Sequence, residues 1–178
     1  FFLMIRRPPR STLSSSSAAS DVFKRQPFTC AVLPGHSNSS RIAKKAIKAG
    51  KEVIIHMPMQ SSVASSGEDG FKLKTGMTSE EIEWRLSEAL REIPEAVGIN
   101  NHQGSKATSD KRVMAVVASV LKNKNKFFLD SRTSSKTVAE TTMRSAGVAT
   151  ARRHIFLDNE ECIQLPKFPL IYFLNLFL

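Results

Sequence analysis

The stretch that decides the fold is Glu52-Val53-Ile54-Ile55-His56, an apolar run of mainly β-branched residues between a glutamate and a histidine. A short apolar run without alternating polar residues is typical of a strand that is buried on both faces. Other apolar stretches predict further strands at residues 28–33, 97–100, 127–129 and 154–157. The chain therefore predicts a set of short, buried strands.

Helical patterns separate these predicted strands. Apolar residues recur at helical spacing in four segments, residues 40–49, 78–93, 109–123 and 135–146. The second segment has the clearest start, because Thr78 followed three residues later by Glu81 matches a capping box. Strands that alternate with helices predict an α/β fold, in which helices cover a mainly parallel sheet. Right-handed crossovers then bring the C-terminal ends of the strands to one edge.

Three residues carry packing predictions. Trp84 lies in the second predicted helix, and we expect it to pack against the sheet rather than to stack on a sugar. Cys30 and Cys162 are far apart in sequence and belong to no metal-ligand spacing. We therefore interpret both cysteines as small buried hydrophobic residues.

The net charge of +10 raises the question of a nucleic-acid partner. Half of this charge lies in residues 1–26 and 163–178, and we expect most of the other basic residues on helix surfaces and in loops. The chain has no zinc-finger spacing and no aromatic RNA-binding signature. We therefore expect no nucleic-acid partner.

Both ends of the chain differ in composition from its middle. Residues 1–26 contain a serine run and no periodic pattern, and they resemble translated sequencing-adapter sequence, so we expect an artefactual or disordered segment. Residues 163–178 are almost uncharged and apolar, and we expect a non-native tail. The start of the chain does not have the charge order of a signal peptide. The apolar residues 168–178 are fewer than the about 20 residues that a membrane span needs. The domain is predicted over residues 27–162.

Polar residues with catalytic or ligand chemistry follow the predicted strands at their C-terminal ends, where the fold would bring them together. They are His56, Asn100, Asn101, His102, Asp130, Arg132 and Asp158. Two histidines with carboxylates on one rim suit a zinc site with an open coordination position. Other interpretations stay open: a structural role for the histidines, a turn at Asn100-Asn101, and a buried ion pair between Asp130 and Arg132.

Six motifs in this order resemble the divergent polysaccharide deacetylase family. They are Ala31-Val32-Leu33-Pro34 and residues 50–59, 75–78, 97–105, 127–133 and 156–159. The resemblance covers about residues 27–161. It implies a distorted (β/α) barrel, present here as a partial barrel that lacks the family's first and last strands.

The resemblance also implies a divalent metal, with zinc as the expected ion. The family's ligands would be a carboxylate at the end of the first strand and two histidines, which correspond here to His56 and His102. Asp130 and Arg132 would line the rim as catalytic residues. A metal of this kind would activate water for attack on an acetamide or ester carbonyl.

The implied substrate is a carbohydrate or a peptidoglycan-like polymer, and Asn100, Asn101 and Asp158 are the expected substrate contacts. The implied location is the periplasm or the cell envelope. The aspartate pair that ends the family's first strand is not found before Pro27, so we expect an incomplete metal site and an inactive polypeptide. The alternative function is a non-catalytic envelope module that keeps the barrel for binding. The sequence leaves the oligomeric state open.

Overall fold

The computed structural model describes residues 2–6, 28–63, 67–153 and 174–176, with side chains for residues 29–63 and 67–153. Within these ranges the strands form one seven-stranded sheet. The strands are β1 (Phe2–Arg6), β2 (Phe28–Val32), β3 (Glu52–Met59), β4 (Gly98–Gln103), β5 (Phe127–Asp130), β6 (Thr150–Arg152) and β7 (Leu174–Leu176). The helices are α1 (Ser39–Lys48), α2 (Ser79–Glu92), α3 (Lys111–Asn123) and α4 (Ala139–Ser145), and a short 3₁₀ helix spans Ala107–Ser109.

The sheet has the order β6-β5-β4-β3-β2-β1-β7. Strands β2 to β6 are parallel, as the alternation of strands and helices predicted. β1 runs antiparallel to both β2 and β7. β1 and β7 lie in the two end segments that were expected outside the domain. The strand predicted at residues 154–157 lies outside the described residues, and β6 ends just before it.

The starts of α2 and α3 are explained by capping residues in the sequence. α2 begins after Thr78, whose side chain accepts a hydrogen bond from the Glu81 backbone while the Glu81 carboxylate accepts one from the Thr78 backbone. This is the predicted capping box. α3 begins after Asp110, whose carboxylate accepts hydrogen bonds from the Arg112 and Val113 backbones. The polar groups at both helix starts are thus satisfied locally.

The larger core lies between the sheet and the helices. α3 contributes Val113, Met114, Val117 and Leu121, all fully buried, as its apolar spacing predicted. The opposite face of the sheet carries a smaller buried cluster of Ala31, Ile54 and Leu129. The parallel strands are therefore buried on both faces, in agreement with their unbroken apolar sequences.

Alternation along β3 decides where His56 lies. Val53 and Ile55 belong to the core on the helix side, and Ile54 belongs to the cluster on the opposite face. Because successive side chains of a strand point to opposite faces, His56 shares the face of Ile54. β4 is in register with β3, so that His56 is paired with Asn100. The sheet thus carries polar side chains on the face away from the helices.

Two packing predictions have different outcomes. Cys30 is buried, as expected, and burial raises the pKa of its thiol above the usual value. Cys162 lies outside the described residues. The prediction for Trp84 is wrong, because this side chain is 61% exposed on the outer face of α2. The helix buries Ile82, Leu86 and Ala89 instead, and Trp84 does not share their side of the helix.

The segment between β3 and α2 is held in place at two points. Leu73 forms an isolated parallel bridge with Met59 at the end of β3. The Arg85 guanidinium of α2 donates a hydrogen bond of 3.0 Å to the Lys72 carbonyl oxygen. The loop is thereby held beside the C-terminal ends of β3 and β4.

None of the helices in the described part of the chain is long and apolar enough to cross a membrane.

Candidate functional site

Two histidines meet on the face of the sheet that points away from the helices. His56 comes from β3 and His102 from β4, and the distance between His56 Nε2 and His102 Nδ1 is 3.0 Å. The rings meet edge to face, with centroids 4.8 Å apart. His56 is only 7% exposed. The structure therefore brings together the two residues that the sequence offered as metal ligands.

The second ring nitrogen of His56 is held by Asn100. His56 Nδ1 lies 2.9 Å from Asn100 Oδ1, and Asn100 Nδ2 donates a hydrogen bond of 3.2 Å to Ser131 Oγ. Asn100 was predicted to contact the substrate. Here it is fully buried, and both polar atoms of its side chain have partners inside the protein. Its position gives it an orienting contact with His56.

The second ring nitrogen of His102 faces a carboxylate that the sequence did not indicate. His102 Nε2 lies 3.3 Å from Glu68 Oε2 in the loop between β3 and α2. Glu68 adopts a left-handed backbone conformation, with φ of 58°. The loop has no periodic pattern, and its pairing with His102 depends on how it folds back. No signal in the sequence could have selected this glutamate over its neighbours.

Burial sets the protonation of the histidine pair. Desolvation, followed by the neighbouring charge of His102, lowers the pKa of His56 from its ordinary 6.5 to about 3. Burial also lowers the pKa of His102, while the Glu68 carboxylate acts in the opposite direction. His56 is therefore a neutral imidazole near neutral pH, which is the form that binds a metal or accepts a proton.

Asn101 joins the end of β4 to the segment after β5. Its Oδ1 accepts a hydrogen bond of 2.8 Å from the Ser131 backbone, and its Nδ2 donates one of 2.7 Å to the Gln103 carbonyl oxygen. Asn101 is fully buried. Asn101 was predicted to contact the substrate. In the structure its side chain connects the end of β4 to the segment after β5 inside the protein.

Asp130 and Arg132 do not form the buried ion pair that was one interpretation of the sequence. The Asp130 carboxylate is fully buried and accepts hydrogen bonds from the Arg132 backbone at 2.7 Å and from Thr137 Oγ1 at 2.8 Å. The Arg132 side chain is exposed and its backbone is left-handed, with φ of 50°. Asp130 thus shapes the turn after β5, and Arg132 lies on the rim. Asp158, the remaining predicted substrate contact, lies outside the described residues.

A small pocket lies where β2 ends, between this strand and the start of α1. It has a volume of about 170 Å³, and Val32, Leu33, Ser39 and Ile42 form much of its wall. Glu68 also lines it, which connects the pocket to His102. Neither His56 nor His102 is among the residues that line it.

The two histidines fit neighbouring positions of one metal ion. Two imidazole nitrogens on a tetrahedral zinc lie about 3.3 Å apart, since Zn–N bonds are about 2.0–2.1 Å long. The separation of 3.0 Å between His56 Nε2 and His102 Nδ1 is close to this value. Glu68 faces the other nitrogen of His102, so it does not point to the same centre. Within residues 28–63 and 67–153, no three His, Cys, Asp or Glu side chains are arranged to hold a metal.

A sequence profile described as divergent polysaccharide deacetylase matches residues 17–166. The chain belongs to this family. The match extends over most of the chain and includes the strands that carry His56, His102 and Asp130. The resemblance inferred from the motifs is thus confirmed.

Two curated proteins are similar to most of this chain. An uncharacterized protein of Haemophilus influenzae is 39% identical over 132 residues, which is 74% of this chain and 47% of that protein. The uncharacterized protein YibQ of Escherichia coli is 39% identical over 134 residues, which is 75% of this chain and 42% of YibQ. The chain therefore spans a little less than half the length of these relatives.

A solved structure supports the fold. The uncharacterized protein ATU2773 from Agrobacterium tumefaciens C58 matches with a TM-score of 0.70 and 17% identity, over 87% of this chain and 69% of that chain. At this identity the likeness concerns the fold alone. With five parallel strands and their helices, the chain is an α/β protein in the form of a partial, distorted (β/α) barrel.

Proposed function

We propose that this domain belongs to a metal-dependent hydrolase that removes acetyl groups from a carbohydrate or peptidoglycan-like polymer in the bacterial periplasm or cell envelope. The observation that carries the proposal is the neutral, buried His56 beside His102, with their nitrogens 3.0 Å apart at the edge of a parallel sheet. Family membership supports the reaction class, since the family is described as divergent polysaccharide deacetylase.

In this proposal His56 and His102 hold a divalent ion, with zinc as the expected one. When bound, such an ion polarises a carbonyl oxygen and lowers the pKa of a water ligand. Binding of the ion requires that the His56–His102 hydrogen bond opens, because His56 Nε2 and His102 Nδ1, which would bind the ion, now face each other. A third protein ligand would come from outside the two ranges with described side chains, because the Glu68 carboxylate faces the opposite side of His102.

The rim residues have different parts in the proposal. Arg132 is exposed beside the turn after β5, where a guanidinium can bind a polar group of the polymer. Asp130 acts on the backbone of that turn through its hydrogen bond to the Arg132 N–H, and the catalytic role predicted for it remains a proposal. Asp158 keeps its proposed role as a substrate contact.

Zinc titration of the metal-free chain tests the ligand assignment. We expect the wild-type protein to bind zinc, and His56→Ala and His102→Ala each to weaken binding by at least tenfold. His36→Ala is the matched control, because His36 is an exposed histidine on the wall of the small pocket. Equal zinc affinity in all four proteins would overturn the assignment.

Acetate release tests the reaction. A full-length relative such as YibQ would be incubated with an acetylated glycan polymer in the presence of zinc. We expect acetate to appear, and to disappear when the histidines that align with His56 and His102 are replaced. Zinc binding without acetate release would reject the hydrolase.

A second candidate function is a non-catalytic envelope module that binds the polymer. One observation favours it: the side chains of Asn100, Asn101 and Asp130 are fully buried and engaged in hydrogen bonds within the protein. Retention of the chain on the polymer, together with no acetate release by a full-length relative, would support this module over the hydrolase.

A further inference from the structure

The hydrogen bonds that connect Asn101, Ser131, Asn100 and His56 have only one possible direction. The Asn101 carbonyl oxygen can only accept, so the Ser131 hydroxyl, 2.8 Å away, donates its single proton to that oxygen. Ser131 Oγ is then left as an acceptor for the Asn100 side chain, which lies 3.2 Å away. Only the amide nitrogen of Asn100 can donate to it. The orientation of the Asn100 amide is therefore determined by a backbone carbonyl.

The same logic places the proton on His56. Because Asn100 directs its nitrogen to Ser131, its Oδ1 faces His56 Nδ1 at 2.9 Å. An amide oxygen accepts and cannot donate, so the His56 Nδ1 atom must carry the hydrogen. In a neutral imidazole the lone pair is then on Nε2, the atom that faces His102.

We infer that Ser131 and Asn100 are positioning residues, which hold His56 in the tautomer with the proton on Nδ1 and the lone pair on Nε2. They act through His56 and are not offered as contacts of a metal or a substrate. Their importance for metal binding rests on the proposed function. The tautomer itself is a property of the metal-free chain.

The geometry makes this arrangement rigid. Ser131 is bound twice to Asn101, through its hydroxyl to the carbonyl oxygen and through its backbone N–H to the side-chain Oδ1, each at 2.8 Å. Asn100 and Asn101 are fully buried, and Ser131 is 4% exposed. Water therefore has little access to replace a missing partner, and a half-satisfied amide at this place is costly.

The contact with His102 explains why the choice of tautomer matters. His56 Nε2 lies 3.0 Å from His102 Nδ1, and a hydrogen bond between two ring nitrogens needs a lone pair on one of them. A proton on Nε2 would block the atom directed at His102. Residues that hydrogen-bond to the ring nitrogen of a ligand histidine that does not bind the metal typically contribute a factor of about 10–100 to metal affinity.

Nitrogen NMR of the metal-free chain, with ¹⁵N-labelled histidine, reports the tautomer directly. We expect the wild-type His56 to show a protonated Nδ1 and a free Nε2. In Ser131→Ala the Asn100 amide loses the acceptor that orients it, and we expect a mixture of both tautomers. Ser131→Thr keeps the hydroxyl and should restore the wild-type spectrum.

Thr133→Val is the matched control for the loss of a hydroxyl. Thr133 lies two residues further along the same segment. Its hydroxyl donates to the Gln103 carbonyl oxygen at 2.8 Å and accepts from Asn101 Nδ2 at 3.5 Å, whereas the hydroxyl of Ser131 bonds to Asn100 directly. We expect this variant to keep the wild-type tautomer. An equal change of tautomer in Thr133→Val and Ser131→Ala would show a general loosening of the segment and would overturn the role of Ser131.

The wild-type spectrum alone can overturn the inference, even if Ser131→Ala fails to fold. A proton found on His56 Nε2 in the metal-free chain would contradict it. Zinc titration supplies the second measurement, and we expect Ser131→Ala to weaken binding by a factor of about 10–100 while Thr133→Val leaves it unchanged. If the wild-type chain binds no zinc, the proposed function fails, and the tautomer measurement still decides the inference.

Discussion

At the scale of single residues, burial determines the chemistry of His56. A histidine that stays neutral in the folded protein lowers the stability of the fold in acid, because the unfolded chain can bind a proton that the folded chain excludes. His56 is 7% exposed, and its pKa falls from 6.5 to about 3. His102 shifts in the same direction, so the pair acts together. The folded state is therefore fully favoured only above pH 6.5.

The metal-free chain is accordingly predicted to lose stability as the pH falls from 6.5 to 5. The folded pKa is depressed, so the unfolded state binds more protons in this window, and the free energy of unfolding decreases as the pH decreases. The expected contribution of His56 to this slope is roughly 1 kcal/mol per pH unit. Urea unfolding in the presence of a chelator, repeated at several pH values, measures it.

His56→Asn should reduce this slope, since asparagine keeps a donor towards Asn100 but cannot titrate. His36→Asn is the matched control, because it replaces an exposed histidine by the same residue. A slope that is the same in His56→Asn and in the wild-type protein would show that His56 does not carry the acid sensitivity.

At the scale of elements, the end of β4 is held by a close approach that only glycine permits. Gly104 has φ of +91°, and a Cβ atom at this position would lie 2.8 Å from Met59 Cβ. This contact packs the residue after β4 against the end of β3, which keeps His102 beside His56. The packing of the ends of β3 and β4 therefore depends on the absence of a side chain at Gly104.

Gly104→Ala is predicted to destabilise the fold. The left-handed backbone alone costs an alanine about 1–2 kcal/mol, and the overlap with Met59 adds to it. Gly76→Ala is the matched control, because a Cβ there meets no atom within 4 Å and its backbone is not left-handed. Chemical denaturation of both variants measures the difference. Equal stability of the two would contradict the close packing at β4.

The start of α2 offers a second prediction at this scale. Thr78→Ala removes the acceptor for the Glu81 backbone N–H, which lies 3.2 Å from Thr78 Oγ1, and should cost about 1 kcal/mol. Ser87→Ala changes an exposed residue in the interior of the same helix and should be nearly neutral. Thermal unfolding of the two variants compares the cap with the helix surface. Similar melting temperatures would argue against a stabilising capping box.

At the scale of the whole molecule, the helix layer has one buried and one solvent-facing side. Leu86 and Trp84 are two residues apart in α2, yet Leu86 is fully buried and Trp84 is 61% exposed. Leu86→Ala should lose about 2–5 kcal/mol, because it opens a cavity between the helix and the sheet. Trp84→Ala should change stability by about 0.5 kcal/mol. Denaturant unfolding distinguishes them, and a larger loss for Trp84→Ala would place the tryptophan in the core.

Much of the fold followed from local patterns. The apolar run at residues 52–56, the capping box at Thr78 and the periodicity of α3 act over a few neighbouring residues, so they are visible in the sequence. Trp84 shows the limit of this reasoning, because a large apolar side chain suggested packing while the helix turned it to solvent. Periodicity is a better guide than residue size, because the helix repeat decides which side is buried.

The sequence by itself determined the α/β class, the family and the presence of two histidines on neighbouring strands, although β3 continues to Met59, so that His56 lies inside this strand and not at its end. Only the tertiary structure decided that Glu68 faces His102, that Ser131 orients Asn100, and that Asp130 supports a turn instead of pairing with the Arg132 guanidinium. The physical reason is range. Strand and helix patterns arise from local periodicity, whereas these hydrogen bonds join atoms whose approach depends on strand register and on the path of a loop.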